Sequence, residues 1–149
     1  MSREILFRAK SKSTGEWQYG YYVEQYGVGQ IFTDHASECV HKSTIGQYTG
    51  LTDKNGVKIF EGDIVLKEYW DRPYSRKAKS KFLKGIVQYH IREGNGFGNG
   101  NEYKCWAAEW GVEIVDKESE RKYSCHSWGC FFECEVIGNI HDNPELLET

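Results

Sequence analysis

The sequence has little proline and none of the long apolar runs that cross membranes. Only 2 of its 149 residues are proline, and no stretch approaches the roughly 20 apolar residues that a membrane helix needs. The N-terminus has no apolar core followed by small residues, which predicts no signal peptide. The formal net charge of −3 creates no general attraction for nucleic acid, so duplex DNA is not favoured as a partner. We expect a cytoplasmic protein that does not act in a membrane.

Aromatic residues are abundant for a chain of modest apolar content. They make up 15% of the sequence, against 39% for all hydrophobic residues, and include ten Tyr and five Trp. Tyr and Trp pack with one part of the ring and hydrogen-bond with the other, as in sheets, interfaces and ligand platforms. Short apolar segments between turn signals recur along the chain. The sequence therefore predicts an all-β (mostly β) fold of antiparallel strands with little helix.

Residues 47–66 have the clearest local pattern. Asn55-Gly56 predicts a tight hairpin turn in which both residues take left-handed backbone conformations. Residues 61–63, Glu-Gly-Asp, then separate two short apolar strands. This corner is typical of small barrels, and an ordinary hairpin in a β-rich domain has the same pattern. We expect this segment and later strands to form a small SH3-like barrel.

The cysteines do not have the spacing of a metal site. Their number, five, is odd, and in a reducing cytosol we expect free thiols. Cys125, Cys130 and Cys134 are separated by four and three residues, whereas structural zinc sites commonly use pairs with two residues between the cysteines. The sequence therefore predicts neither a metal nor a cofactor.

The sequence contains no recognisable catalytic constellation. There is no Gly-x-Ser-x-Gly motif, and the five histidines are scattered. Glu61 and Asp63 could perform acid–base chemistry as a pair of carboxylates. An Asp in such a turn more often accepts hydrogen bonds from backbone N–H groups, and we favour that structural role. The sequence therefore predicts that the protein is not an enzyme.

Two polar segments interrupt the strand pattern. Residues 71–84 are rich in Lys and Arg, and Tyr69, Trp70 and Tyr74 lie beside these charges. The segment is compatible with a solvated loop or with binding to nucleic acid or to an acidic protein surface. Because aromatic rings stack on bases and cations bind phosphates, it is also compatible with a small nucleotide-like ligand. Residues 92–101 are rich in Gly and Asn and predict a hairpin tip without regular structure of its own. They lack the Gly-Lys-Ser/Thr ending of a phosphate-binding loop.

Three segments of the chain resemble the YopX family of phages and prophages. They are residues 3–9 (REILFRA), residues 47–65 (QYTGLTDKNGVKIFEGDIV) and residues 135–147 (EVIGNIHDNPELL). They lie in the family's order, whereas the region from 67 to 134 matches only loosely. The resemblance implies a soluble, β-rich phage accessory protein, and it implies no catalytic activity. We expect a single YopX-like domain over residues 1–149, which can divide into an N-terminal β subdomain (1–46) and a barrel-like subdomain (47–149).

The resemblance and the residue types together favour a protein that acts by binding. Phage accessory proteins of this size often counter host defence, and one route is to sequester a nucleotide-derived immune signal in a pocket between subunits. Such a pocket needs stacking rings and charge-assisted bonds to phosphate. We therefore expect a homo-oligomer in the host cytoplasm. The candidate ligand-binding residues, chosen by type and by proximity to the three segments, are Arg3, Arg8, Trp17, Tyr48, Trp70, Arg72 and Trp128.

Three alternative functions remain open. One is an interaction protein that binds and blocks a host or phage macromolecule through exposed aromatic residues between 67 and 134. Another is a regulator that binds nucleic acid through the basic segment, with a steep dependence on salt. The last is a hydrolase that uses Glu61, Asp63 or His90.

Overall fold

The chain folds into antiparallel strands, as the sequence predicts. The computed structural model describes residues 4–70, 79–98, 101–115 and 133–148. These residues contain two short 3₁₀ segments, Lys42–Thr44 and Pro144–Leu147. The strands are β1 (Phe7–Lys10), β2 (Trp17–Gln25), β3 (Val28–Phe32), β4 (Ser37–Val40), β5 (Gly46–Thr52), β6 (Lys58–Phe60), β7 (Asp63–Trp70), β8 (Ser80–Gly98), β9 (Asn101–Ile114) and β10 (Cys134–Asn139). No helix within the described ranges is long and apolar enough to span a membrane.

The first six strands form one sheet, in the order β4-β3-β2-β1-β5-β6. β1 lies near its centre, where Phe7 pairs with Gly20 of β2 and with Gln47 of β5. Because successive side chains of a strand point to opposite faces, one face of this sheet packs apolar residues together. Ala9, Ile31 and Val40 are fully buried there.

The last four strands form a second sheet, in the order β10-β7-β8-β9. Its core consists of β-branched residues and one thiol, which pack against Ile59 from the first sheet. The buried members of this cluster are Ile59, Val65, Val87, Val112 and Cys134. Ile59, which belongs to the first sheet, therefore packs in the core of the second sheet and connects the two.

The chain passes from one sheet to the other at residues 61–63, the predicted corner. Gly62 has φ = 81°, a conformation that glycine adopts without the steric cost of a side chain. Its N–H donates to the Val87 carbonyl, and its carbonyl accepts from the Ile140 N–H. The described strands do not close into the predicted SH3-like barrel, because β6 pairs with β5 whereas β7 pairs with β8 and β10. A division into subdomains at residue 46 stays a prediction.

The turn at residues 53–57 differs from the predicted one. Only Gly56 has a left-handed conformation, with φ = 83°, and Asn55 does not. Asp53 organises the turn instead, because its Oδ1 accepts from the N–H groups of Asn55 and Val57 at 2.8 and 2.9 Å. Its Oδ2 accepts from the Val136 N–H at 3.0 Å. The Asp53 carboxylate thus joins this turn to β10.

The Gly- and Asn-rich segment is more regular than the sequence predicts. β8 and β9 pair continuously from Gly85 and Ile114 to Gly98 and Asn101. The prediction of no regular structure is therefore wrong for residues 92–98 and 101. Backbone hydrogen bonds with an opposite strand can maintain a ladder even where strand propensity is low. Ile86 is the last β8 residue that pairs with β7, so the hairpin extends beyond the rest of its sheet.

Candidate functional site

The candidate site is built around Arg8 in β1. The strand register places Arg8 opposite Tyr19 of β2 and Gly46 of β5. Gly46 has no side chain, and a Cβ there would lie 2.5 Å from the Glu61 carbonyl oxygen. The close approach of Glu61 lets Arg8 Nη2 donate to this oxygen at 3.3 Å.

Arg8 forms a buried ion pair with Asp63, the first residue of β7. Arg8 Nη2 lies 2.5 Å from Asp63 Oδ1, and the two side chains are 9% and 1% exposed. Asp63 Oδ2 accepts from the Phe60 N–H at 2.7 Å. Burial raises the pKa of Asp63 above its ordinary value, and the Arg8 guanidinium and the Phe60 N–H oppose that rise. Both carboxylate oxygens are engaged, which supports the structural role that the turn position favoured over acid–base work with Glu61.

Aromatic rings enclose the Arg8 guanidinium. Its Cζ atom lies 4.7 Å from the centre of the Trp17 ring and 4.9 Å from that of Phe60. These distances are within the range of cation–π attraction. The Phe60 ring also contacts Tyr48 and Tyr19, with centroids 5.5 and 5.6 Å away. Arg8 Nε is buried and has no hydrogen-bond partner within the part of the chain that the structure describes.

The C-terminal segment holds Trp17 in position. Trp17 Nε1 donates to Asp142 Oδ2 at 2.6 Å, and Asp142 also forms an ion pair with Lys10. Hydrogen bonds from Asn139, Lys10 and Trp17 lower the pKa of Asp142. The His141 ring lies 5.9 Å from that of Trp17. Burial lowers the pKa of His141, and the positive charges of Arg8 and Lys10 lower it further.

A cavity of about 360 Å³ opens beside this cluster. Arg8 and Asp63 supply its buried polar groups, and Lys58 supplies an ammonium group that is more exposed. Its other lining residues are aromatic or aliphatic, namely Leu6, Tyr19, Val57, Phe60 and Val136. Lys58 Nζ lies 5.0 Å from the centre of the Tyr48 ring and 2.8 Å from both carboxylate oxygens of Glu4. A mostly apolar cavity with a few polar groups has the make-up of a small-molecule site.

The structure brings together three of the predicted ligand-binding residues. Arg8 lines the cavity, and Trp17 and Tyr48 contact the residues that line it. Trp70 is seven residues along β7 from Asp63, which places its backbone about 23 Å away. Arg3, Arg72 and Trp128 lie outside the described residues, as do Cys125 and Cys130. The prediction about metal at those cysteines therefore stays a prediction.

Sequence reasoning missed other lining residues. Lys58 and Phe60 are two positions apart in a short strand, so their side chains share a face, and Phe60 meets Tyr48 across the β5–β6 pair. Their spacing of two residues in a predicted strand within residues 47–66 was the sequence pattern that could have indicated them. No sequence pattern indicated Tyr19 and Val136, because their position beside the cavity depends on pairing between strands that are distant in the sequence.

Comparison with known proteins identifies the family of this chain. The family model described as "YopX protein" matches residues 6–148, and no curated protein matches the chain. The solved structures include a similar chain, "Crystal structure of protein EF1440 from Enterococcus faecalis", with 24% sequence identity and a TM-score of 0.42. The match covers 98% of this chain and 99% of that one. The YopX family is not a known enzyme family. Because the family model spans nearly the whole sequence, this chain belongs to the YopX family.

Proposed function

We propose that this protein binds a small nucleotide-like ligand in the Arg8 cavity and acts by occupancy rather than by catalysis. The observation that carries the proposal is the combination of a buried guanidinium, aromatic rings and a partly exposed lysine around one cavity. In a phage-encoded protein, such binding would sequester a nucleotide-derived immune signal of the host. The complete pocket would lie between subunits of a homo-oligomer.

The aromatic residues supply the surface for a planar base. Tyr19 is 48% exposed and lines the cavity together with Phe60. Their centroids are 5.6 Å apart and their planes are steeply inclined, at 62°, and the exposed part of the Tyr19 ring is available for stacking. Stacking of a base on an aromatic ring contributes about 1–3 kcal/mol. This arrangement therefore favours a ligand with a flat ring over an aliphatic one.

Lys58 supplies the cation for a phosphate. Its ion pair with Glu4 is largely exposed, with side chains 43% and 54% accessible. Exposed pairs of this kind contribute only about 0–1 kcal/mol, so a phosphate oxygen can replace Glu4 at little cost. The Arg8 charge, by contrast, is already offset by Asp63. Lys58 is thus the side chain that gives the cavity its preference for an anion.

The cavity offers little for acid–base chemistry. Among its described lining residues, Asp63 is the one carboxylate, and both of its oxygens already accept hydrogen bonds. A general base must be able to take up a proton from the substrate, and Asp63 is committed to Arg8 and the Phe60 N–H. This supports binding as the role of the site.

Calorimetric titration with a panel of nucleotides tests the proposal. The panel contains nucleoside monophosphates and cyclic dinucleotides, with inorganic phosphate as the ion-only control. We expect at least one nucleotide to bind to the wild type and Lys58→Ala to weaken that binding about tenfold, because a charge-assisted hydrogen bond is lost. Absence of binding across the panel would count against a nucleotide ligand.

Lys42→Ala is the matched control variant. The Lys42–Glu24 pair has the same 2.8 Å distance as the Lys58–Glu4 pair and similar exposure, 47% and 46%. Lys42 does not line the cavity, so its replacement should leave the affinity unchanged. Equal weakening in the two variants would show a general charge effect instead of a site.

A specific observation also supports a second candidate function, in which the protein blocks a macromolecule. Phe82, Tyr89 and Ile91 of β8 are 58%, 48% and 70% exposed. Tyr89 and Ile91 share a face of the hairpin beyond the end of its pairing with β7. If they anchor a protein partner, Ile91→Asp should prevent isolation of a stoichiometric complex, whereas Ile5→Asp should not. Ile5 is a comparable apolar residue elsewhere, 57% exposed.

A further inference from the structure

The charges on the wall of the Arg8 cavity almost cancel. Among the residues that the structure describes, the lining contains two cations, Arg8 and Lys58, and one carboxylate, Asp63. Arg8 and Asp63 form the buried ion pair, with side chains 9% and 1% exposed. Because their charges offset each other, a ligand in the cavity meets a net positive charge of one, located on Lys58.

A second carboxylate lies beside Lys58. Both carboxylate oxygens of Glu4 are 2.8 Å from Lys58 Nζ, and the Glu4 side chain is 54% exposed. A ligand phosphate that replaces Glu4 on Lys58 would share the cavity with Asp63 and have the displaced Glu4 carboxylate nearby. Like charges at short range disfavour each other's ionised forms. These two carboxylates therefore limit how much negative charge the site can accept.

We propose that the Arg8 cavity selects a phosphodiester over a phosphomonoester. This inference rests on the proposed function and specifies the phosphate chemistry of its ligand. A phosphate between two ester bonds carries one negative charge, whereas a terminal phosphate carries about −1.5 to −2 at pH 7. The single charge of a diester balances Lys58. The second charge of a monoester would have no counter-charge among the described lining residues and would repel Asp63 and Glu4.

The apolar part of the cavity acts in the same direction. Leu6, Val57, Phe60 and Val136 form most of the remaining wall, and charges interact more strongly beside apolar groups than in open water. An unbalanced charge on the ligand is therefore poorly screened there. A diester also has a second carbon substituent in place of a charged oxygen, and this substituent can contact the apolar wall.

The proposed preference is opposite to that of a lysine acting alone. An exposed ammonium group attracts a dianion more strongly than a monoanion, because the Coulomb energy rises with the charge. A lower dissociation constant for a diester would therefore not result from general attraction to Lys58. It would reflect the balance of charges around the cavity.

Titration with two phosphate esters that lack a base tests the preference directly. The probes are dimethyl phosphate, a monoanion, and methyl phosphate, which is a dianion at about pH 8. Two-dimensional NMR spectra of the isotope-labelled protein follow the amide signals of residues 57–60. We expect the dissociation constant of dimethyl phosphate to be at least about threefold lower. Equal or tighter binding of methyl phosphate, or no response to either ester, would overturn the proposal.

Glu4→Gln tests the repulsion. Removing this carboxylate should strengthen the binding of methyl phosphate more than that of dimethyl phosphate, so the ratio of the two dissociation constants should approach one. Glu24→Gln is the matched control, because Glu24 forms the comparable exposed pair with Lys42 and is 46% exposed. It should leave the ratio unchanged. A similar change of the ratio in both variants, or no change in either, would overturn the proposal.

Calorimetry with nucleotides distinguishes this inference from the proposed function. Cyclic monophosphates, which are diesters, are compared with the open monophosphates of the same nucleosides. Tighter binding of the cyclic forms supports both proposals, whereas tighter binding of the open forms supports a nucleotide ligand and overturns the diester preference. A preference for dimethyl phosphate without any nucleotide binding would preserve the inference and reject the proposed ligand.

A lipid headgroup is the other common source of a phosphodiester. Glycerophosphoglycerol, a soluble headgroup without acyl chains, is the probe for it. We expect weaker binding than for a cyclic nucleotide, because it has no flat ring to stack on Tyr19. Binding as tight as that of the cyclic nucleotides would support the diester preference and reject the nucleotide as its basis.

Discussion

Arg8 and Asp63 are 55 residues apart in the sequence, and Arg8 Nη2 lies 2.5 Å from Asp63 Oδ1. The pair connects β1 in the first sheet with the start of β7 in the second. The cavity is lined by both partners. The same contact therefore fixes the relation between two strands and shapes the candidate site.

Removing one partner of this buried pair should destabilise the protein strongly. We expect Asp63→Ala to lower the free energy of unfolding by about 3–5 kcal/mol, because Arg8 would stay buried without its counter-charge. The double variant Arg8→Met/Asp63→Leu should be less destabilised than Asp63→Ala. Urea unfolding followed by tryptophan fluorescence measures both. Glu24→Ala removes an exposed pair and should change the free energy of unfolding by less than about 1 kcal/mol; a comparable loss there would contradict burial as the cause.

The turn at Asp53 should depend on its carboxylate more than on the neighbouring asparagine. Asp53 accepts backbone hydrogen bonds from Asn55, Val57 and Val136. Burial acts to raise the pKa of Asp53, and these three N–H groups outweigh it, so the pKa lies below its ordinary value. We expect Asp53→Ala to cost about 3 kcal/mol in the free energy of unfolding and Asn55→Ala less than about 0.5 kcal/mol. Equal costs in urea unfolding would argue against the carboxylate as the organiser of the turn.

The stability of the protein should fall as the pH is lowered through the ordinary pKa of histidine. The pKa of His141 is lowered in the folded state, so the unfolded chain takes up a proton there first, beginning near pH 6.5. His141→Phe keeps a ring against Trp17 and should flatten this dependence, measured as urea midpoints between about pH 7.5 and 5. His41 is exposed, so the control variant His41→Phe should retain the pH dependence of the wild type. An unchanged slope in His141→Phe would remove His141 as its source.

Two cysteines should differ sharply in reactivity. Burial, followed by the negative charge of Asp53, raises the pKa of Cys134 to about 11, and its side chain is fully buried. Cys39 is exposed. Since the thiolate is the reactive form, iodoacetamide at about pH 8 should label Cys39 in the folded protein while Cys134 reacts only after unfolding. Peptide mass spectrometry distinguishes the two sites, and similar rates for both would show that Cys134 is accessible.

The class of fold and part of the site could be predicted because their signals are local. Alternating apolar residues and turn residues indicate strands without knowledge of their partners. Arg8, Trp17 and Tyr48 were predicted from their residue types and from their proximity to the segments that resemble the YopX family. The structure places them together, and their role in binding a ligand stays a prediction. Residues 61–63 were found as a corner because Gly-Asp after an apolar strand is a local pattern.

The remaining features depend on contacts between distant residues. Whether strands close into a barrel is decided by which edges pair, and the separate partners of β6 and β7 could not be read from either strand alone. The pairing of Asp63 with Arg8 and the regular β8–β9 hairpin are of the same kind. The rule that an Asn-Gly pair places both residues in left-handed conformations was wrong at Asn55, because the Asp53 carboxylate imposed a different turn.

The contact between Lys10 and Asp142 spans 132 residues of sequence, and this separation has a consequence during synthesis. A ribosome that adds about 5–20 residues per second needs roughly 7–26 s to reach Asp142 after Lys10 has been made. Throughout that interval Trp17 lacks the carboxylate that orients its indole, even if β1 and β2 have already paired. A nascent chain therefore has no finished Arg8 cluster until translation has passed the C-terminal segment.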